Sequence, residues 1–186
     1  AGFLEAARTA VARVEARALD KVVVVRRAVL EGCFEPRALL DSLSPEVSAT
    51  RFGFCDGRVA FVGATPELLV RCDGERVASE AVAGTLARSG DVEELCRSDK
   101  DRREHDYVVS AVRLGLESAK VELEPAAEPT IRSLRHVFHL VTPVGGRLRE
   151  PRHVLDLVRA LHPTPAVLGV PADAARRTPE PPVELG

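Results

Sequence analysis

Three segments of the sequence place an ionisable side chain where its surroundings could tune its chemistry. The first begins at Lys21, within DKVV (20–23). A lysine at the start of a β-branched strand loses hydration when it is buried, which favours the neutral amine that a general base needs. The alternative is an ordinary lysine at a strand edge, and the pattern alone favours it because lysine is so rarely buried.

The second segment, GATPELLV (63–70), places Glu67 at a tight bend directly before three apolar residues. Loss of hydration there would raise the pKa of the carboxyl group and keep it protonated near neutrality, as a general acid requires. The alternative is a glutamate in the first turn of a helix, where the helix dipole favours the anion. That common preference makes the alternative the stronger reading of the pattern alone.

The third segment, SDKDRREHD (98–106), is a dense cluster of charges. Such a cluster is normally a solvated helix face with pairs four residues apart, such as Lys100 with Glu104. It could also direct one carboxylate toward a hard cation such as Mg²⁺, which accepts a few carboxylates and keeps several waters. The spacing does not decide between these two readings.

Weaker signals lie at His139 and at Gly84-Thr85. His139 alternates with apolar neighbours in VFHLVT, a pattern more typical of a satisfied core histidine than of a catalyst. Gly84-Thr85 follows a strand-like run, so its backbone amides could approach an anion, although a plain turn explains it equally well. Nucleotide binding has no support, since neither G-x-x-x-x-G-K-[ST] nor G-x-G-x-x-G occurs.

The elements that must position these residues are predicted from hydrophobic period and turn signals. The first eighteen or so residues have the spacing of an amphipathic helix, and Pro36 opens a short helix through Leu43. The β-branched run 21–30 predicts a mostly buried strand. Two D-G dipeptides, at 56–57 and 73–74, predict successive hairpins and therefore an antiparallel sheet.

The second half of the chain continues the mixture of helix and strand. We expect one long helix or a broken pair over 91–122, strand and turn over 134–148, and a helix over 151–161. No βαβ period repeats, so the fold class is α+β, with one partial domain over 1–177. The proline-rich tail over 178–186 is expected to be a loop or a frayed end.

Composition excludes several classes of protein. The chain has 186 residues, 45% of them hydrophobic, and a formal net charge of −2. No apolar run approaches the roughly 20 residues of a membrane span, and the N-terminus lacks a signal peptide's apolar segment, so a cytoplasmic protein without a membrane partner is expected. Arginines are interleaved with 28 acidic residues, which argues against nucleic-acid binding. The four cysteines are far apart and are expected to be reduced structural thiols without zinc.

Several segments, taken in order, resemble the chorismate-utilising enzymes and specifically the isochorismate synthases. These segments are DKVVVVR (20–26), GATPELLVRCDGE (63–75), VAGT (82–85), SDKDRREHDYVV (98–109), HLVTPVGG (139–146) and LHPTPAVLGVP (161–171). The last is the most discriminating, because anthranilate and aminodeoxychorismate synthases usually carry a different phrase there. The resemblance implies a fold of antiparallel β-sheets with helices packed outside.

The resemblance also implies a reaction. Isochorismate synthases convert chorismate to isochorismate with Mg²⁺, adding water to the ring and expelling the original hydroxyl group, on routes to menaquinone or siderophores. On the family's pattern Lys21 would be the general base that activates water, and Glu67 the general acid that protonates the leaving oxygen. Glu104 would be a Mg²⁺ ligand.

The same pattern assigns a substrate pocket. Gly84, Thr85 and His139 would line it, and Ala166 would help to decide between isomerisation and elimination of pyruvate. Salicylate synthases, the second enzyme class considered, have threonine at the position of Ala166. A non-catalytic remnant or interaction module of the same fold is the third possibility.

The chain also departs from the family's pattern. In the family, the sequence continues past this point with a carboxylate-binding arginine, a lysine and further metal-binding glutamates, whereas here it turns into RRTPEPPVELG (176–186). We therefore expect a truncated, incomplete domain. Because poorly compensated substrate charges cost orders of magnitude in rate, this chain alone is expected not to turn over chorismate.

Overall fold

The computed structural model describes residues 2–43 and 49–178, and the backbone of 184–185. Within these residues there are six helices and eleven strands. The helices are α1 Gly2–Glu15, α2 Pro36–Ser42, α3 Val92–Arg97, α4 Asp99–Ser118, α5 Val154–Leu161 and α6 Ala172–Arg176. The strands are β1 Lys21–Val22, β2 Ala28–Val29, β3 Thr50–Cys55, β4 Ala60–Thr65, β5 Arg71–Asp73, β6 Arg76–Ala87, β7 Val121–Leu123, β8 Thr130–Ser133, β9 Val137–Leu148, β10 Gly169–Val170 and β11 Glu184–Leu185.

The chain divides into two compact units. Unit 1 is Ala1–Val29 with Leu69–Gly186, and unit 2 is Leu30–Leu68. Helix α2 and the hairpin β3–β4 belong to unit 2, and the other elements belong to unit 1. Helices and mainly antiparallel strands occur together without a βαβ repeat, so the predicted α+β class is confirmed.

The main sheet of unit 1 is built on two long strands. Its order is β5-β6-β9-β7, and β8 also pairs with β9. Strands β6 and β9 are antiparallel from Arg76 opposite Arg147 to Ala87 opposite Val137. Helix α4 packs on one face of this sheet and buries Val108, Val112 and Leu116, each at most 1% exposed. Burial of each such side chain contributes about 1.5–3 kcal/mol, so this stripe anchors the helix.

Helix α4 begins at a well-defined cap. The Ser98 hydroxyl accepts a hydrogen bond from the Asp101 N–H at 3.2 Å, while the Ser98 N–H donates to the Glu94 carbonyl of α3 at 2.8 Å. One serine therefore ends α3 and caps α4. The segment predicted as a long helix or a broken pair is the broken pair.

Both predicted D-G hairpins form, in separate sheets. In unit 2, β3 and β4 pair from Thr50 opposite Thr65, and Gly57 has a φ of +89° in the turn. In unit 1, β5 and β6 meet at Gly74, with a φ of +58°. Glycine adopts this left-handed conformation without a Cβ clash, which explains why the dipeptides mark the turns.

Two expectations about strands are wrong. The run 21–30 is not one buried strand: β1 and β2 each have two residues, and 25–30 are exposed. Among the described strands β1 pairs with β10 alone, and β10 has only two residues, so the ladder contains only two residue pairs. In the tail, 179–183 lie outside the described residues, but β11 pairs in parallel with β2 and is not a loop.

Two further properties concern the described residues of both units. Within the described residues no helix is both long enough and apolar enough to cross a membrane. The cysteine thiols are free, as expected, at Cys33, Cys55, Cys72 and Cys96.

The contact between α4 and α5 leads to a testable prediction. A Cβ added at Gly115 would lie 2.7 Å from the Ala160 carbonyl oxygen. Alanine favours a helix over glycine by about 1 kcal/mol, but overlap with backbone typically costs about 1–3 kcal/mol. We therefore expect Gly115→Ala to lower the melting temperature by several degrees.

Differential scanning calorimetry would measure this change. Leu114→Ala is the matched control, because Leu114 is 65% exposed and its loss should change stability by no more than about 0.5 kcal/mol. A Gly115→Ala protein as stable as the wild type would show that the two helices separate at little cost.

Candidate active site

Lys21 lies at the start of β1 and its amine is held by two acceptors. Its Nζ donates a hydrogen bond to the Pro165 carbonyl oxygen at 2.6 Å and lies 3.3 Å from the Glu104 Oε1. The side chain is 11% exposed. The lysine is therefore largely buried, although the sequence pattern alone favoured an ordinary strand-edge lysine, and its partners come from two distant segments of the chain.

Glu104 lies in the second turn of α4 and contacts two lysines. Its Oε1 faces Lys21, and its Oε2 lies 3.7 Å from the Nζ of Lys100, four residues earlier. The side chain is 32% exposed, so the carboxylate reaches solvent while bridging the helix surface and β1. The pair expected on a solvated helix face exists, and the same carboxylate also points toward the predicted general base.

Ala166 directly follows the carbonyl that Lys21 contacts. The loop after α5 is tied by hydrogen bonds from the N–H groups of Val167 and Leu168 to the Thr164 carbonyl, at 3.1 and 3.2 Å. Ala166 packs against the hydrophobic core of unit 1. The structure thus brings Lys21, Glu104 and the Ala166 loop to one place.

Thr85 and His139 form a second polar group on the main sheet. Thr85 Oγ1 lies 2.9 Å from His139 Nδ1, and the two residues are opposite each other on β6 and β9. A bulge at Gly84, where φ is +77°, shifts the register between Ala83 and Thr85. A Cβ at Gly84 would lie 3.2 Å from Leu140 and 3.4 Å from the Cβ of Asp101, so glycine also permits close packing on α4.

The surroundings of His139 favour the neutral imidazole. Burial lowers the pKa of His139, and the positive charge of Arg132 lowers it further, while a hydrogen bond from the ring to the Gly84 backbone opposes the shift. Arg132 itself makes two hydrogen bonds to the Glu80 carboxylate, at 2.8 and 2.9 Å. Near neutral pH His139 can therefore act as a hydrogen-bond partner without a charge.

Glu67 lies at the end of unit 2, in the loop after β4. Its N–H donates a hydrogen bond to Thr65 Oγ1 at 3.1 Å, and the residue is half-buried. It directly follows the bend at Pro66 and does not lie in the first turn of a helix, which was the reading favoured by the pattern alone. Its function as a proton donor stays a prediction.

The side chains around Glu104 bear on the metal ion that the resemblance implies. Over residues 2–43 and 49–178 no group of three or more His, Cys, Asp or Glu side chains could hold a metal ion. Glu104 offers a single carboxylate whose oxygens already face lysines. These residues do not form a magnesium site by themselves, and Mg²⁺ stays a prediction.

Sequence reasoning missed His105. This residue is 2% exposed, and burial lowers its pKa. Its Nδ1 lies 3.2 Å from the Ala83 carbonyl oxygen, and its Nε2 lies 2.7 Å from Thr142 Oγ1. The signal was available, because His105 precedes Val108 and Val112 at helical spacing on the buried face, but the surrounding charges obscured it.

Comparison with known proteins identifies relatives over nearly the whole chain. A family described as chorismate binding enzymes matches residues 1–178. The salicylate biosynthesis isochorismate synthase of Pseudomonas aeruginosa is 40% identical over 175 residues, which cover 89% of this chain and 37% of that protein. Isochorismate synthase MenF of Bacillus subtilis is 34% identical over 185 residues, which cover 93% of this chain and 39% of that protein.

Solved structures agree with this result. The structure of DhbC from Bacillus anthracis, described as a 2,3-dihydroxybenzoate-specific isochorismate synthase, superposes with a TM-score of 0.78 and 31% identity over 95% of this chain and 52% of that one. Anthranilate synthase component I from Streptococcus pneumoniae shares the fold, with a TM-score of 0.66 and 22% identity over 95% of this chain and 41% of that one. The predicted chorismate-utilising fold is confirmed.

The lengths of these relatives differ from that of the chain. This chain spans about two fifths of the length of the curated relatives above. The family match nevertheless extends over almost every residue, including both polar groups just described. The chain belongs to the family of chorismate binding enzymes.

Proposed function

We propose that this chain carries part of the active site of an isochorismate synthase, an isomerase that converts chorismate to isochorismate. The observation that carries the proposal is the meeting of Lys21, Glu104 and the Pro165 carbonyl, drawn from three segments that carry the resemblance. Family membership and relatives named as isochorismate synthases support it. Chorismate is the proposed small-molecule substrate.

Lys21 is suited to activate water. A neutral amine has two N–H groups and one lone pair, and the Pro165 carbonyl and the Glu104 carboxylate offer two acceptors. With both N–H groups so directed, the lone pair is left to take a proton from water as it adds to the ring. Glu67 would give a proton to the hydroxyl group that leaves as water, so the reaction is a net isomerisation.

The second polar group is proposed to contact the substrate. Thr85 and His139 offer a hydroxyl and a neutral imidazole on the open face of the sheet, and Gly84 provides the bulge that sets them there. Ala166, beside the Lys21 contact, would leave space that the threonine of salicylate synthases fills. Its small side chain favours the isomerase over the pyruvate-releasing lyase.

A magnesium ion and a cytoplasmic location are also part of the proposal. Glu104 would supply one Mg²⁺ ligand, and substrate and water would supply others. Four free thiols are what a reducing compartment maintains, which supports a cytoplasmic location. One relative is named for salicylate biosynthesis, and a solved structure from Escherichia coli, 32% identical, is described as the menaquinone-specific isochorismate synthase MenF. The product is therefore proposed to serve a menaquinone or siderophore route.

Binding and turnover can be separated in the 186-residue chain. We expect chorismate with Mg²⁺ to raise the melting temperature. At a hundredfold excess over the Kd, bound ligand raises the free energy of unfolding by about 2.7 kcal/mol. We expect no isochorismate by chromatography, because the substrate's charges are incompletely compensated. Thermal shift and product analysis would be run on the same protein.

Each other outcome has a definite meaning. A folded monomer without any chorismate-dependent shift would contradict the proposed site and favour a non-catalytic module. Robust isochorismate formation would support the function but show that the expected inactivity is wrong. Release of pyruvate would identify a salicylate synthase-like lyase.

Replacement of Lys21 tests the contact of Lys21 with Glu104 and the Pro165 carbonyl, on which the proposal rests. Lys21→Met should weaken chorismate binding by roughly 10- to 100-fold, because it removes the partner of the Glu104 carboxylate next to an anionic substrate, and a hydrogen bond to a charged group contributes about 1.5–3 kcal/mol. Lys100→Met is the matched control, since it removes the other lysine facing Glu104 from a side chain that is 76% exposed, and it should have little effect. Calorimetric titration would compare them, and equal losses would count against a specific role for Lys21.

The lowered pKa of His139 predicts a pH dependence of stability. The unfolded ring, with a pKa near 6.5, binds a proton before the folded ring does. The contribution of His139 to stability is therefore complete above about pH 6.5 and is lost as the pH falls through the folded pKa. The wild type should lose stability relative to His139→Asn on acidification.

Denaturation at several pH values between 7.5 and 5 would measure that difference. Phe138→Leu is the control, because it changes the adjacent residue without changing a titrating group. A difference between wild type and His139→Asn that stays constant with pH would contradict the lowered pKa.

A further inference from the structure

We propose that His105 is a positioning residue for the Thr85–His139 pair. Its imidazole holds the Gly84 bulge from the helix side and so keeps Thr85 opposite His139. The effect on chorismate binding rests on the function proposed above, whereas the effect on the pair itself does not.

The two ring nitrogens of His105 have different partners. Nδ1 lies 3.2 Å from the Ala83 carbonyl oxygen, which can only accept a hydrogen bond. Nδ1 must therefore carry the hydrogen, which leaves Nε2 of the neutral ring as an acceptor. Thr142, whose Oγ1 lies 2.7 Å from Nε2, donates to it. The buried ring thus connects α4 to β6 and β9 through two satisfied hydrogen bonds.

The register of the sheet shows what this anchor controls. Ala83 is opposite Leu140, and Thr85 is opposite His139, although Gly84 lies between them in the chain. In a regular antiparallel ladder, with Ala83 opposite Leu140, Thr85 would lie opposite Phe138 and share a face with Ala83. Because Gly84 bulges out of the ladder, Thr85 instead lies opposite His139 and on the exposed face.

The anchor acts at the residue where the bulge begins. A bulge locally disrupts the ladder, so the carbonyl next to it profits from a donor outside the sheet. His105 provides that donor to Ala83, and Asp101, one turn earlier on α4, packs against Gly84. Glu104 precedes His105 directly, so the same anchor also sets the position of the carboxylate that faces Lys21.

Two replacements of His105 separate its hydrogen bonds. His105→Asn places an amide near the position of Nδ1 and keeps a donor for Ala83, whereas His105→Gln reaches the position of Nε2 and keeps only the contact with Thr142. Thr142→Val is the matched control, because it removes the other hydrogen bond of the buried ring and leaves the Ala83 contact. Thr85→Val serves as the reference for a lost pair.

The readout is the NMR signal of the His139 ring and its titration midpoint. We expect His105→Gln to shift both as Thr85→Val does, while His105→Asn and Thr142→Val keep them at wild-type values. A folded His105→Gln protein with an unchanged His139 signal would overturn the proposal. The proposal would also be overturned if the His139 signal stayed at its wild-type value in His105→Gln but shifted in Thr142→Val.

A measurement on the wild type covers the case in which His105→Gln does not fold. Nitrogen NMR of the histidine rings reports which ring nitrogen carries the hydrogen. A hydrogen on Nδ1 of His105 supports the proposal. A hydrogen on Nε2 overturns it, because the ring would then donate to Thr142 and not to Ala83.

Measurement of chorismate binding is a second test, and its result is independent of the NMR result. His105→Gln should raise the Kd about tenfold, as expected for one lost hydrogen bond, and Thr142→Val should change it by no more than about twofold. Equal increases in both variants would reduce His105 to a stabilising residue and overturn the proposal. Absence of binding by the wild type would contradict the proposed function, and the NMR result would then decide the positioning role.

Discussion

The packing of α4 on the main sheet is the constraint on which the site in unit 1 depends. The buried stripe Val108, Val112 and Leu116 holds the helix against β6 and β9, and the Ser98 cap fixes where it starts. Because an α-helix is rigid over its length, the first turns inherit the position that the stripe dictates. Glu104 then reaches Lys21 on one side of the helix, while the residues one turn apart at 101 and 105 contact the bulge on β6.

The contact between Lys21 and Glu104 combines structure and chemistry. An ion pair on the protein surface contributes little to stability. Here, however, the lysine is largely buried, and its amine also donates a hydrogen bond to the Pro165 carbonyl. Removal of either acceptor would leave a polar group without its partner, which costs more than the pair contributes. The local geometry therefore holds the amine in one place, as the proposed transfer of a proton from water requires.

Much of this arrangement follows from the sequence by local rules. Helical spacing, Pro36 and the D-G dipeptides marked elements that the structure contains, because caps and turns depend on a few adjacent residues. The site needed more than local rules. Neither the meeting of Lys21 with Pro165, separated by 144 positions, nor the bulge at Gly84 has a short-range signature, since both arise from pairing between distant strands. The two-residue length of β1 likewise reflects its partner and not its own β-branched residues.

The bulge at Gly84 has a consequence for how this sheet can change. Side chains along a strand alternate between two faces, so one added residue inverts the parity of everything that follows it. Ala83 faces the core, yet Thr85 does not, and Leu86 and Ala87 are likewise exchanged relative to a strand without the insertion. Deletion of Gly84 itself would place Thr85 directly after Ala83 in a regular ladder and so keep it opposite His139, whereas removal of one more residue would reverse the assignment as far as Ala87. The bulge thus leaves this strand end one residue that can be lost without exchanging its two faces, and any further single deletion would turn Leu86 away from the core.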